Sequence, residues 1–267
     1  MSPPAPCLFV PEGDRFLPTD HTRGPWDRNA QHGGPPAALL AHCLDHVDAP
    51  QPMQIARLTV ELLRPVPVEP LRVETRVLRA GRKVQLAGAS LWAGDTEVAR
   101  ATALRIRRAD VPLPSGLASE SPPPPPASGA ASLPPWHDTI HYTSFHHDGV
   151  EHRFVRGSFA EPGPATDWIR LRVPLLAGEP ITPLARVVTA ADFGNGVSWV
   201  LSREDGYLFI NPDLTLYLHR LPVGDWVCLE SATYPERSGI GLAESRLWDE
   251  HGPLGRSLQT LLLEKRG

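Results

Sequence analysis

The chain has 267 residues, a formal charge of −4 at neutral pH and 41% hydrophobic side chains. That length fits one or two domains of roughly 150 residues and buries about three quarters of the unfolded surface, so the fold needs no staple. Mild acidity excludes a dedicated nucleic-acid binder, whose phosphate contacts require a basic face, and no apolar run approaches the roughly 18 residues of a membrane-spanning helix.

Residues Met1 to Cys7 have neither a charged start nor an apolar stretch, so no export signal is expected. Cys7, Cys43 and Cys228 are far apart and odd in number. They show no metal-ligand spacing and fit a reducing cytoplasm. Gly33-Gly34-Pro35 predicts a helix start, because proline is tolerated in the first helical turn. Leu39, Leu40, Cys43, Leu44 and Val47 then share one face of a helix over 35–47. From residue 58 the period changes to two, which predicts strands at 58–62, 71–77, 84–92 and 98–106. Pro65, Pro67 and Pro70 bend the first connection, while Ala80-Gly-Arg82 and Gly94-Asp95 turn the others. The reading is one antiparallel meander.

Nine of the 31 prolines fall between Ala109 and Pro135, five of them in the run Pro122 to Pro126. This composition favours extended polyproline II and predicts a solvated interdomain linker over 111–135. It divides the chain into domains at 1–110 and 136–267.

The second half repeats the first. Strands are expected over 152–159 and 168–173. Thr182-Pro183 reads as an N-cap followed by proline at the first helical position, opening a helix from about 184 toward 201 that Gly194 and Gly196 weaken. Strands follow at 214–218, 226–233, 240–247 and 254–263. Sliding 57–108 forward by 156 positions onto 213–264 needs no gap and gives ten identities in 52 positions, among them Thr59 with Thr215, Arg64 with Arg220 and Trp92 with Trp248. Roughly three or four would be expected by chance. The fold class is therefore α+β, with each half a central helix against a long antiparallel sheet.

Several chemistries are disfavoured by absence. There is no Gly-x-Ser-x-Gly elbow, no Gly-x-Gly-x-x-Gly fingerprint and no phosphate loop. The His-rich stretch at His141, His146, His147 and His152 lacks zinc-ligand spacing and reads as surface strand and turn. No metal or cofactor is expected. His32-Gly33-Gly34, at the first helix start, offers free N–H groups suited to an oxyanion or phosphate.

One helix wrapped by a long antiparallel sheet and duplicated in tandem resembles the double-hotdog form of the hotdog fold. The segment from Thr22 to Ala41, Ala190-Ala-Asp-Phe-Gly-Asn-Gly196 and Phe209-Ile-Asn-Pro-Asp-Leu-Thr215 resemble the acyl-CoA thioesterase II group. The resemblance covers nearly the whole chain apart from the linker and the first residues. It implies hydrolysis of a fatty acyl-CoA to free acid and coenzyme A. It also implies a homo-oligomer, with a dimer as the expected state.

That family holds and activates one water with an Asp, a Thr or Ser, and a Gln from the C-terminal half. The matches are Asp192 on the second helix and Gln259 on the last strand. The hydroxyl position, counted back from His219-Arg220, falls on Asn211, a departure from the pattern. Asn211 can still donate to or accept from a water; Thr215 and Asp213 are its nearest rivals. Under the 156-residue shift Gln259 aligns with Ala103, so one working site per chain is expected. His32, Gly33, Gly34, Asn195 and Gly196 are the expected substrate-binding residues. A hotdog enoyl-CoA hydratase and a non-catalytic acyl-CoA or lipid-binding module are the rival functions. The hydratase pattern wants an Asp and a His on the helix and following loop, and no His follows Asp192 before His219.

Overall fold

The alternating stretches of the first half form β3 (Met53–Leu62), β4 (Leu71–Arg79), β5 (Val84–Ala93) and β6 (Thr96–Arg107). Those of the second half form β11 (Asp213–Leu218), β12 (Trp226–Pro235), β13 (Ile240–Asp249) and β14 (Gly252–Lys265). The computed structural model describes residues 6–117, 120–133, 141–202 and 204–265. A hairpin of β1 (Phe9–Glu12) and β2 (Arg15–Pro18) extends one end of the sheet, and β7 (Ala130–Ala131), β8 (Val150–Arg156) and β9 (Ala165–Leu171) extend the other. Among the described residues one sheet of 14 strands results, in the order β1-β2-β4-β5-β6-β3-β11-β14-β13-β12-β9-β8-β7, with β10 (Tyr207–Ile210) pairing the end of β14.

The halves meet where β3 pairs antiparallel with β11. Thr59 lies opposite Thr215 in that register, and their hydroxyls are 3.3 Å apart. These are the residues that the 156-residue shift superposes, so an approximate two-fold axis passes between them. The same equivalence recurs away from the axis: Ala87 pairs with Ala103 in the first half, and Ala243 pairs with Gln259 in the second.

Two helices lie antiparallel against each other on one face of the sheet. The first, α1 (Gly34–Asp45), carries Pro35 and Pro36 in its first turn; the second, α2 (Pro183–Ala191), is capped by Thr182, whose Oγ1 accepts from the Ala185 N–H at 3.1 Å. Leu39, Leu40 and Leu44 of α1 and Val187 and Val188 of α2 are buried with Leu58, Leu91, Leu216, Leu229 and Leu247 of the strands. Each buried aliphatic side chain contributes about 1.5–3 kcal/mol. Gly34 sets the helix spacing, since a Cβ there would stand 3.0 Å from the Thr189 carbonyl oxygen.

The second helix stops earlier than the sequence suggests. It ends at Ala191, Asp192 is its C-cap, and a short α3 (Gly194–Val197) follows. Gln259 accounts for the break. Its Nε2 donates to the Asp192 carbonyl oxygen at 3.1 Å and its Oε1 accepts from the Asn195 N–H at 3.0 Å. A side chain thereby satisfies two backbone groups that a continuing helix would pair with the Gly196 N–H and the Ala191 carbonyl oxygen.

Part of the proline-rich segment is not free in solvent. The Trp168 indole donates to the Pro124 carbonyl oxygen at 2.7 Å, Pro126 is buried, and β7 pairs with β8. Residues 134–140, at its end, lie outside the described residues. No helix among the described residues is long and apolar enough to cross a membrane.

Candidate active site

Asp192 stands where the end of α2 meets the start of α1. Its side chain is 4% exposed, and both carboxylate oxygens have polar partners. Oδ1 accepts from Asn211 Nδ2 at 2.9 Å and from Gln259 Nε2 at 3.2 Å. Oδ2 lies 2.9 Å from His32 Nδ1, a residue of the other half of the chain. The Gly34 N–H donates to the same nitrogen at 3.2 Å.

Glycine makes the approach possible. A Cβ on Gly33 would stand 2.8 Å from Asp192 Oδ2 and 3.1 Å from Oδ1. A Cβ on Gly194 would stand 2.9 Å from Ser245 Oγ and 3.0 Å from Gln259 Oε1. His32 is fixed between two rings, with centroids 4.6 Å from Phe193 and 5.2 Å from Phe145.

The structure thus brings Asp192, Asn211, Gln259, His32, Gly33 and Gly34 together. Asn195 sits behind the carboxylate. Its backbone holds Gln259 and its Oδ1 is 3.5 Å from the Thr233 hydroxyl. Gly196 lines an adjoining cavity of about 210 Å³, whose wall also includes His32 and Phe193. The rivals of Asn211 lie elsewhere: Thr215 faces Thr59 at the junction, and Asp213 Oδ1 accepts from the Thr260 N–H at 2.7 Å. Arg186 pairs with Asp225 at 2.6 Å.

The first half has no equivalent constellation among the described residues. Ala103 stands in the place of Gln259, and the end of α1 is capped instead by Arg105, which donates to the carbonyl oxygens of Asp45 at 2.8 Å and Val47 at 2.6 Å. Burial pulls the Arg105 guanidinium down from its ordinary value.

Two histidines differ from expectation. His146 is buried and lines the cavity, and His152 is buried against Asp167, with Nδ1 2.6 Å from Oδ2. Burial pushes the Asp167 carboxyl up, with His152 and the Arg153 N–H acting against the shift. The inward alternation of Val150, His152 and Phe154 carried the signal for His152. The His32–Asp192 contact had no local signal, since it depends on how the two helices pack.

No curated protein sequence matches the chain significantly. Solved structures resemble it over nearly its full length, among them the following three. A candidate thioesterase II of Thermobifida fusca YX aligns with TM-score 0.76 and 18% identity, covering 98% of this chain and 100% of the other. A conserved hot dog fold protein of Alicyclobacillus acidocaldarius aligns with TM-score 0.75 and 17% identity, covering 97% and 96%. The acyl-CoA thioesterase II TesB2 of Mycobacterium marinum aligns with TM-score 0.68 and 15% identity, covering 96% and 94%. At these identities they speak for the fold, which is hotdog. Residues 22–106 match the acyl-CoA thioesterase N-terminal domain and residues 118–263 the acyl-CoA thioesterase C-terminal domain. The chain belongs to the acyl-CoA thioesterase family and is a thioester-hydrolysing enzyme.

Proposed function

We propose that the chain is a tandem double hotdog, with halves at 1–110 and 136–267 joined by the 111–135 segment, and that it hydrolyses acyl-CoA at one site built on Asp192. The observation that carries this reading is the Asp192 carboxylate, held by Asn211, Gln259 and His32 at the edge of a cavity. Asp192 takes a proton from water as the water oxygen attacks the thioester carbonyl carbon. Asn211 uses Nδ2 on Asp192 and keeps its carbonyl oxygen for that water. Gln259 uses both ends of its amide on the helix break and the carboxylate, so it acts on the water through Asp192. The oxyanion is assigned to the start of α1, beside Asp192, where the helix dipole favours negative charge. Collapse of the tetrahedral intermediate breaks the C–S bond, and the thiolate of coenzyme A recovers the proton.

An acyl-CoA panel with release of free thiol as readout tests this. Release that Asp192→Ala leaves undiminished overturns the site. A second reading has one observation in its favour: His32 gives Asp192 the histidine partner that hydration of an enoyl thioester wants. Loss of enoyl absorbance from crotonyl-CoA without thiol release would select it. The reading also places the enzyme in the cytoplasm as a homo-oligomer, a dimer first. Three free cysteines fit that compartment, and the exposed Ile210, Ile240 and Leu262, register partners on β10, β13 and β14, offer an apolar stripe to a second copy.

A further inference from the structure

The cavity beside Asp192 is lined chiefly by rings: Trp26, Phe159, Phe193, Trp199 and Phe209, with Leu201 among them. Its volume of about 210 Å³ is below the roughly 300–1,000 Å³ of ordinary ligand pockets. The Trp199 indole N–H is already donated to the Phe159 carbonyl oxygen at 3.0 Å, so that side chain presents an apolar face. His146, Ser202 and Glu204 are the polar members of the wall besides His32; a pantetheine amide buried against the rings instead is left unpaired at a cost in free energy. An apolar acyl group has no such cost. Aromatic rings also favour another ring over a flexible chain, because offset and edge-to-face contacts add to burial, and a planar ring loses little rotamer freedom. His32 joins the cavity to the reacting centre, since it lines the wall and touches Asp192 Oδ2.

We infer that this cavity is the acyl pocket and selects a compact aromatic acyl group, such as phenylacetyl or benzoyl, over straight fatty chains. The inference rests on the thioesterase reading above and narrows its substrate class. Trp199 and Phe209 are its specificity-determining residues: Trp199 follows α3, and Phe209 lies on β10 opposite Leu263.

The test compares phenylacetyl-CoA with octanoyl-CoA, which has the same number of acyl carbons, and with palmitoyl-CoA. Expected is a kcat/KM for phenylacetyl-CoA at least tenfold above octanoyl-CoA, with palmitoyl-CoA lowest. Trp199→Ala and Phe209→Ala are expected to bring the phenylacetyl-to-octanoyl ratio down toward one. Should Trp199→Ala fail to fold, Phe209→Ala carries the comparison, with thermal unfolding as the control. Equal or better turnover of octanoyl- or palmitoyl-CoA overturns the inference while leaving the thioesterase reading intact. So does a ratio that the folded variants do not change. If no acyl-CoA is hydrolysed, the thioesterase reading falls, and calorimetric titration with thioether analogues of phenylacetyl- and octanoyl-CoA decides the pocket. Tenfold tighter binding of the aromatic analogue upholds the inference; equal binding overturns it.

Discussion

His32 Nδ1 lies 2.9 Å from Asp192 Oδ2, and the two residues come from opposite halves of the chain. The site therefore exists only when both helices are in place. It also makes His32 a partner of the proposed base, which a substrate-contact role alone does not describe. His32→Gln and His32→Ala separate the functions. A glutamine can place an amide against the carboxylate, so a purely orienting His32 predicts that His32→Gln retains most of the thiol-release rate while His32→Ala loses it. Equal loss in both variants would make the imidazole itself a proton carrier.

Asp192→Asn is expected to lower kcat by about 10²–10⁴, the range for removing a general base. The amide is close in shape to the carboxylate, so the thermal midpoint should move little. Steady-state thiol release and calorimetry on the same preparation check both statements.

Gly33→Ala places a methyl group 2.8 Å from Asp192 Oδ2. The carboxylate has to move. A more than tenfold loss of kcat is expected, with a stability cost of about 1–3 kcal/mol. Gly196→Ala is the control for stability: a Cβ there meets nothing within 4 Å, so the thermal midpoint should move little.

Asp249 predicts an acid limb in stability. Burial acts to raise its carboxyl, but two Arg220 hydrogen bonds at 2.5 and 2.6 Å and the N–H groups of Val223 and His251 outweigh it, so the group lies below the ordinary carboxylate range. A depressed carboxyl stabilises the fold above its unfolded value of about 4, and that contribution disappears as pH falls through the folded value. Asp249→Asn should therefore be less stable than the parent at pH 7, with the gap closing below about pH 4. Denaturant midpoints at several pH values measure it.

The thiols should not disturb these assays. Burial pushes Cys43 up to about 11 and raises Cys7 and Cys228 as well. Little thiolate is present at pH 7.5, and the native protein should react with iodoacetamide far more slowly than the unfolded chain. Mass spectrometry of alkylated peptides tests this.

The strands were legible because their side chains alternate, and the repeat was legible because its register has no gap. The Thr182 cap could be read from residue type alone. The end of α2 could not, since it is set by Gln259, a side chain from the last strand. Local propensity flagged Gly194 and Gly196 but could not supply the residue that satisfies the broken ladder. Asp192, Asn211 and Gln259 came from resemblance to a family, and the structure gathers them around one carboxylate. The place of His32 depends on helix packing, which periodicity does not encode. The cavity rings Phe159 and Trp199 were missed for the same reason: they lie in loops that only the fold assembles.

The pairing of Thr59 with Thr215 has a further consequence. In a dimer of two identical half-chains, a residue on the symmetry axis would face its own copy, and every substitution would appear twice. Joining the halves in one polypeptide removes that constraint. Each position then mutates once, and the two sides of the junction evolve as separate loci. Gln259 in one half and Ala103 in the other are an asymmetry that an isologous homodimer of single halves has no means to encode.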